Sequence, residues 1–159
     1  MKKKLIILTL IIGALFITGC TKKEEKKDEQ PKTVATKLVK LFESEIKKDK
    51  NIESVAKKIS ESDIIVPQTQ TFNVEDGDYL SGFATEIKGY KKVVGITPMI
   101  STIPFIAYVF EVDKPKEFVK TLEENAQLNW NICVEADEMK TTIVDNYVFF
   151  IMSPKNFEE

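Results

Sequence analysis

The fold is decided by MKTTIVDNYVFFIM, residues 139–152. Asp145-Asn146 divides this stretch into two apolar-rich runs and has the length and composition of a two-residue β-hairpin turn. The second run, residues 147–152, has no charged side chain and should therefore lie in the interior of a sheet, covered on at least one face. The sequence thus predicts an antiparallel hairpin that closes the domain.

A strand and a helix are predicted immediately upstream. Residues 105–112 are apolar up to Glu111, which is typical of a strand. Lys114-Pro115 then opens a helix over about residues 116–126, with Phe118, Val119 and Leu122 facing inward. Residues 104–152 therefore form a β-α-β-β run that resembles half of a ferredoxin-like sandwich.

Two short amphipathic helices are predicted near the start of the domain. The first begins at Thr33, and Asn51 can cap the second. Their apolar stripes are assigned to the core rather than to a membrane surface. The stripe residues are Val34, Leu38, Leu41, Phe42 and Ile46 in the first helix, and Ile52, Val55, Ala56 and Ile59 in the second.

The middle of the chain predicts further strands. Residues 63–66 form a brief strand candidate before Pro67, and residues 76–78 form a turn. Residues 83–87 and 93–97 flank a Lys- and Gly-containing segment and indicate a hairpin. We therefore expect a single α+β domain over residues 33–159, with N-terminal helices and one later helix packed on an antiparallel β-sheet and a closing β-α-β-β run.

Residues 1–20 carry a separate signal. Three lysines precede an apolar run, residues 5–19, and Thr18-Gly19 places two small residues before Cys20. The pattern resembles the lipobox of bacterial lipoproteins. That resemblance implies a signal peptide over residues 1–19, cleavage between Gly19 and Cys20, diacylglyceryl transfer to the Cys20 thiol, and acylation of the new amine, for example by palmitate. The alternative is an N-terminal membrane helix, but the run has 15 residues and a spanning helix needs about 20.

A charged tether is expected to follow the lipidated cysteine, so that residues 20–32 join anchor to domain. Residues 21–32 contain five lysines, four acidic residues and no large apolar side chain. Twelve extended residues reach at most about 40 Å. The expected location is the cell membrane, with the domain lipid-anchored on the extracytoplasmic face and the membrane contacted through the lipid on Cys20.

The composition restricts the chemistry. The chain has no histidine, so histidine-dependent nucleophilic sites and imidazole metal ligands are excluded. All 23 basic residues are lysine, so bidentate recognition by arginine is also excluded. The net charge is -2, and loss of Lys2, Lys3 and Lys4 with the signal peptide would make it -5. We therefore expect no binding to nucleic acid and no cofactor.

The segment NWNICVEADE, residues 129–138, holds the only tryptophan and a second cysteine. Cys133 lies between two apolar residues and is predicted to be a small buried hydrophobe rather than a nucleophile. Glu135, Asp137 and Glu138 could offer oxygen ligands to a cation but lack the spacing of a calcium loop, so no metal site and no catalytic residue is assigned. Whether these three acids bind a cation stays open.

The same segment carries a second resemblance. Together with VDNYVFFIMSP, residues 144–154, it is similar to a family of small lipoproteins of spore-forming Gram-positive bacteria whose domain has no assigned activity. The resemblance implies the envelope location and the unity of the domain. It implies no functional residue beyond Cys20.

An apolar loop, residues 97–104, stands where a loop is normally polar, and it is bracketed by Pro98 and Pro104. The favoured interpretation is that Met99, Ile100 and Ile103 plug the end of the core. The alternative is that they form an exposed surface that contacts a partner.

These patterns favour a lipid-anchored cell-envelope protein that acts as a non-enzymatic binding or scaffolding module on the outer face of the cytoplasmic membrane, with an envelope protein or ligand as its partner. The alternatives are an envelope hydrolase that uses acidic residues and a small-ligand or cation receptor. A deep pocket of converging carboxylates would favour catalysis, and an apolar patch would favour a partner.

Overall fold

The structure, a computed structural model, describes residues 32–75, 77–131 and 133–157. The predictions for the signal peptide, for Cys20 and for most of the tether lie outside these residues. In chain order the elements are α1 (Val34–Lys48), α2 (Ile52–Ser60), β1 (Thr69–Asn73), β2 (Tyr90–Pro98), β3 (Ile106–Val112), α3 (Pro115–Asn125), β4 (Glu138–Val144) and β5 (Tyr147–Ser153).

The five strands form one open sheet in the order β1-β2-β3-β5-β4, and every neighbouring pair is antiparallel. Val144 pairs with Tyr147 across the Asp145-Asn146 turn, which confirms the predicted hairpin, and β5 lies in the interior of the sheet. β3 and β4 run parallel to each other with β5 between them, so β3-α3-β4 is a split β-α-β unit. The predicted α+β class is confirmed.

Both faces of the sheet are covered. Successive residues of β5 point to opposite faces, so Phe149 and Ile151 belong to one core cluster, whereas Phe150 and Met152 belong to the other. α1 and α2 pack on the first face. α3 and the connection between β1 and β2 pack on the second.

A side chain caps the start of each of the first two helices, and the cap at Asn51 confirms the prediction. The Thr33 hydroxyl accepts a hydrogen bond from the Thr36 amide at 3.3 Å, and the Asn51 side chain accepts one from the Ser54 amide at 2.9 Å. These contacts satisfy amides that the first turn leaves without a partner. The predicted stripes are buried except for Leu41, which is partly buried.

The strand predicted at residues 63–66 is wrong. The chain turns there, because the Ser62 amide bonds to the Ile59 carbonyl and the Ile65 amide bonds to the Ser62 carbonyl, at 3.2 and 3.1 Å. Ile65 fills the core from this turn, and Val66 is left exposed. The strand that pairs with β2 is instead β1, which begins after Pro67.

The hairpin predicted over residues 83–97 is also wrong in its first half. β1 occupies the edge of β2, so residues 83–87 have no strand to join. Phe83 makes only an isolated bridge to Ala126. Leu80, Phe83 and Ile87 are buried, so the connection between β1 and β2 packs on the second face of the sheet.

Candidate contact site at one end of the sheet

Three connections and the segment that follows β5 lie at one end of the sheet, which we call the groove end. β1, β3 and β4 begin there and β2 and β5 end there, as the pairs Thr69–Pro98, Ile106–Met152 and Glu138–Ser153 require. The opposite end, where Asp145-Asn146 joins β4 to β5, is called the hairpin end. The connections at the groove end are residues 61–68, 99–105 and 126–137, and the segment after β5 is residues 154–157.

The loop between β2 and β3 is split between core and solvent. Met99 and Ile100 are each 62% exposed, whereas Ile103 is half-buried and packs against the first core cluster. The favoured prediction that all three plug the core is therefore wrong for Met99 and Ile100 and correct for Ile103. A turn separates the exposed residues from the buried ones. The Ile103 amide donates a hydrogen bond to the Ile100 carbonyl at 3.4 Å, and Phe105, which follows this turn, is buried in the core.

Val66 is 64% exposed and extends this apolar surface. It lies in the turn between α2 and β1, and the Met99 amide donates to the Gln68 carbonyl at 2.9 Å, so the two connections are hydrogen-bonded to each other. Val66, Met99 and Ile100 are called the apolar patch below. Val66 and Met99 line one groove, and Ile100 follows Met99 in the chain. Large apolar side chains exposed in one region of a surface are a feature of recognition sites.

Two grooves flank Val66 and Pro67, which line both. The first groove, of about 660 Å³, lies between the end of α2, the start of β1 and Met99. The second, of about 550 Å³, is called the proline groove because three prolines line it. Its lining residues are Val66, Pro67, Thr102, Ile103, Pro104, Val134, Glu135, Asp137, Pro154, Asn156 and Phe157.

The charges in the two grooves have one sign. Glu61 and Asp63 line the first groove, Glu135 and Asp137 line the second, and no lysine of the described residues lines either. Asp137 is held in place, because its Oδ2 accepts the Lys155 amide at 2.9 Å while its own amide donates to the Ser153 carbonyl at 3.1 Å.

The prediction that Cys133 is buried is wrong, because this thiol is exposed. Residues 127–131 and 133–137 form no strand. The Trp130 amide donates a hydrogen bond to the Gln127 carbonyl at 3.2 Å, and the Ala136 amide donates one to the Leu128 carbonyl at 2.9 Å. Cys133 lies in the loop between Leu128 and Ala136, which these two bonds hold together at its ends. Asn131 donates from its side chain to the Ser101 carbonyl, which ties this loop to the loop between β2 and β3.

The acids singled out near Cys133 are not gathered at one point. Glu135 and Asp137 line the proline groove and are exposed, whereas Glu138 is 3.8 Å from Lys140 on β4. Within residues 32–75, 77–131 and 133–157, no group of three or more His, Cys, Asp or Glu side chains is placed to hold a metal ion.

The hairpin end is built from ion pairs instead. Lys50 Nζ lies 2.7 Å from Asp145 Oδ2, Lys91 Nζ lies 2.6 Å from Asp113 Oδ1, and Lys92 forms a third pair with Glu53 on α2. The hydrogen bond from Lys50, with its positive charge, holds the pKa of Asp145 below its ordinary value. The pKa of Glu45 is lowered chiefly by a hydrogen bond from Lys48, and that of Glu53 chiefly by one from Lys92. The pKa of Asp49 is lowered chiefly by a hydrogen bond from Ser54.

The chain enters the domain at the groove end. The Val34 amide, the first of α1, donates to the Lys155 carbonyl at 2.9 Å, immediately after β5. Thr33, which caps the helix, is buried at the same place. The segment that precedes residue 32 therefore joins the domain beside the proline groove.

Comparison of the chain with protein family models, with curated proteins and with solved structures finds no match in any of the three. Among the helices of the described ranges, none combines the length and the apolar character needed to cross a membrane.

The sequence predicted part of this site. The apolar loop between prolines identifies Met99, Ile100 and Ile103 from the sequence. In the structure Ile103 lines the proline groove with Val66, Val134 and Phe157, and Met99 lines the adjoining groove with Val66. The available signal was an apolar residue beside a proline at a strand end, as in Val66-Pro67. That signal is weak because prolines bound many strands.

Proposed function

We propose that the chain is a lipid-anchored cell-envelope protein whose domain acts as a non-enzymatic binding or scaffolding module on the outer face of the cytoplasmic membrane. The groove end is its contact surface. The observation that carries this proposal is the apolar patch of Val66, Met99 and Ile100 at the end of the sheet where the chain enters the domain.

The patch is ordered in a way that suits binding. Pro98 and Pro104 restrict the backbone on either side of the loop, and hydrogen bonds from Met99 and Asn131 join it to two neighbouring connections. A surface that is already ordered loses little conformational entropy on association. Burial of the exposed parts of the three side chains would then favour the complex, at about 25 cal/mol for each Å² removed from water.

The acidic residues of the grooves support binding rather than hydrolysis. A general acid in a glycosidase is usually kept protonated by burial in an apolar pocket. Glu135 and Asp137 are exposed at the rim of an open groove. A charged, accessible carboxylate is suited to attract a cationic group of a partner.

The anchor would place the contact surface near the membrane. β2 has nine residues and so is about 30 Å long, and a tether of twelve residues reaches at most about 40 Å. Because that tether joins the domain at the groove end, it would have to extend over about 30 of its roughly 40 Å to hold the hairpin end against the bilayer. A partner at the membrane surface would therefore meet the groove end most easily.

Replacement of Cys20 tests the anchor. Cys20→Ala should abolish incorporation of labelled fatty acid and leave an uncleaved precursor, while Cys133→Ala, as the matched control, should be labelled and processed like the unaltered chain. A Cys20→Ala chain that is cleaved efficiently at the same position would contradict the lipoprotein assignment.

Replacement of the patch tests the contact surface. Met99→Ser combined with Ile100→Ser should remove protein crosslinks in native membranes, because the apolar area that drives association is lost. Ile143→Ser is the matched control, since Ile143 is 38% exposed on β4 near the hairpin end. Crosslinks that survive the double substitution, or that disappear equally with Ile143→Ser, would contradict this surface.

A further inference from the structure

We propose that the proline groove binds a short segment of a partner protein in which apolar side chains lie next to lysine or arginine. This inference rests on the proposed function and specifies the chemistry of its partner. Two features of the described residues carry it: the apolar lining and the uncompensated carboxylates.

The lining is apolar and stiff. Ile103, Val134 and Phe157 supply apolar surface. The three prolines, Pro67, Pro104 and Pro154, lie in three separate segments of the chain and restrict the backbone of each. The groove volume of about 550 Å³ lies within the range of about 300–1,000 Å³ typical of specific binding sites. It therefore suits a few inserted side chains rather than a whole helix.

The rim carries negative charge that the described part of the chain does not neutralise. Glu135 and Asp137 line the groove, and Asp63 lies across Val66 and Pro67 in the adjoining one. In the described ranges none of these three carboxylates forms an ion pair, although ten lysines are paired elsewhere. Uncompensated charge of one sign beside a concave surface attracts a partner of the opposite charge.

Two other occupants fit this arrangement less well. An anionic bilayer would place its own negative surface against the same carboxylates, which is unfavourable. A second copy of the chain in a two-fold dimer would bring this acidic rim against itself, because such an interface uses the same patch on both subunits. A cationic and apolar segment matches both the lining and the rim.

Cys133 provides the probe for a test in the full, membrane-bound chain. It is exposed, immediately precedes Val134 of the groove, and is the only thiol left if Cys20 carries lipid through its sulfur. Benzophenone maleimide attached to Cys133 in isolated membranes would be photolysed, and the crosslinked peptides would be sequenced by mass spectrometry. Failure of the reagent to label native protein would contradict the exposed loop on which the groove depends.

We expect the crosslinked peptides to combine apolar residues with lysine or arginine within a few positions of the crosslink. The yield should fall severalfold in about 1 M salt, where the Debye length is only about 3 Å. Glu135→Gln should lower the yield about fivefold, because one attractive charge is removed without a change of shape. Glu86→Gln, an exposed acid that lines neither groove, is the matched control and should leave the yield unchanged.

Each other outcome would overturn the inference. Products linked to lipid, to a second copy of this chain or to acidic segments would overturn the cationic partner and leave the anchor and the module intact. A yield insensitive to salt and to Glu135→Gln would do the same. No protein product at all, with Cys133 fully labelled, would overturn the contact surface as well, while fatty-acid labelling at Cys20 would still decide the anchor separately.

Discussion

The two ends of the sheet are built from the same strands yet present opposite chemistry. At the hairpin end, lysines and acids pair at distances such as 2.7 Å for Lys50–Asp145 and 2.6 Å for Lys91–Asp113. At the groove end Val66, Met99 and Ile100 are exposed, and carboxylates line two grooves to which the described part of the chain contributes no lysine. Exposed ion pairs satisfy a surface in water, whereas an exposed apolar patch leaves a surface that gains by being covered.

The difference lies in the connections and not in the core. Most links at the hairpin end are short, such as Asp145-Asn146 between β4 and β5, and the one long link, between β1 and β2, folds back over the second face of the sheet. The groove end uses longer links that fold over one another, including residues 126–137 between α3 and β4. Longer connections can carry side chains that the core does not need, which is why binding residues concentrate there.

The largest expected effect comes from a substitution that should affect both ends equally. Phe149 is fully buried, and its ring stacks on Phe42 at a centroid distance of 5.2 Å. Phe149→Ala should lower the free energy of unfolding by about 3–5 kcal/mol, because it removes apolar contacts and leaves a cavity. Unfolding in urea, followed both by circular dichroism and by the fluorescence of Trp130 at the groove end, measures this loss.

The two probes should report one shared midpoint, since both ends rest on the same core. Phe149→Leu is the control, because it keeps most of the buried volume and should cost much less. If the midpoint of the Trp130 transition stayed the same while that of the circular dichroism transition shifted, the groove end would unfold independently. The groove end and the hairpin end would then be two separate folding units and not two ends of one.

Most elements could be predicted from the sequence because their signals are local. The apolar stripe of α1, the cap at Asn51 and the two-residue turn at Asp145-Asn146 depend on neighbours within a few positions. Each is present in the structure as predicted. The interior position of β5 also followed from its composition alone.

The sequence-based predictions are wrong where the structure depends on residues that are far apart in the chain. Ile64-Ile65-Val66 is typical of a strand, but Ile65 fills the core from a turn and β1 pairs with β2 after Pro67. The register Thr69–Pro98 is a contact over 29 positions that no local pattern specifies. The proline groove was missed for the same reason, since Pro67, Pro104 and Pro154 meet only in the folded chain.

A second prediction concerns which side chains of the groove end contribute to the stability of the fold. Ile103→Ser should lower the free energy of unfolding by about 1–3 kcal/mol, because Ile103 is half-buried against the first core cluster. Met99→Ser should change it by no more than about 0.5 kcal/mol, since 62% of Met99 is already in water. Thermal and urea unfolding of the two variants test the split, and an equally large loss for Met99→Ser would place that side chain in the core after all.

The smallest expected effect is at the hairpin end and depends on pH. The hydrogen bond and charge of Lys50 hold the pKa of Asp145 below its ordinary value of 3.8, so the ionised carboxylate stabilises the folded state. A group with a depressed folded pKa contributes fully above its unfolded pKa and loses that contribution as the pH falls through the folded pKa. Asp145→Asn should therefore lower Tm slightly at pH 6 and make progressively less difference as the pH falls below 3.8.

Asparagine is the right replacement because residue 145 has a φ of 54°, a left-handed conformation that Asn tolerates and most other residues do not. The lost stability then reports the ion pair rather than backbone strain. Asp63→Asn at the groove end removes the same charge where the described residues offer no ion pair, so its Tm should follow the pH profile of the unaltered chain. A Tm difference for Asp145→Asn that is as large at pH 3 as at pH 6, or an equal difference for Asp63→Asn, would mean that charge pairing does not distinguish the two ends.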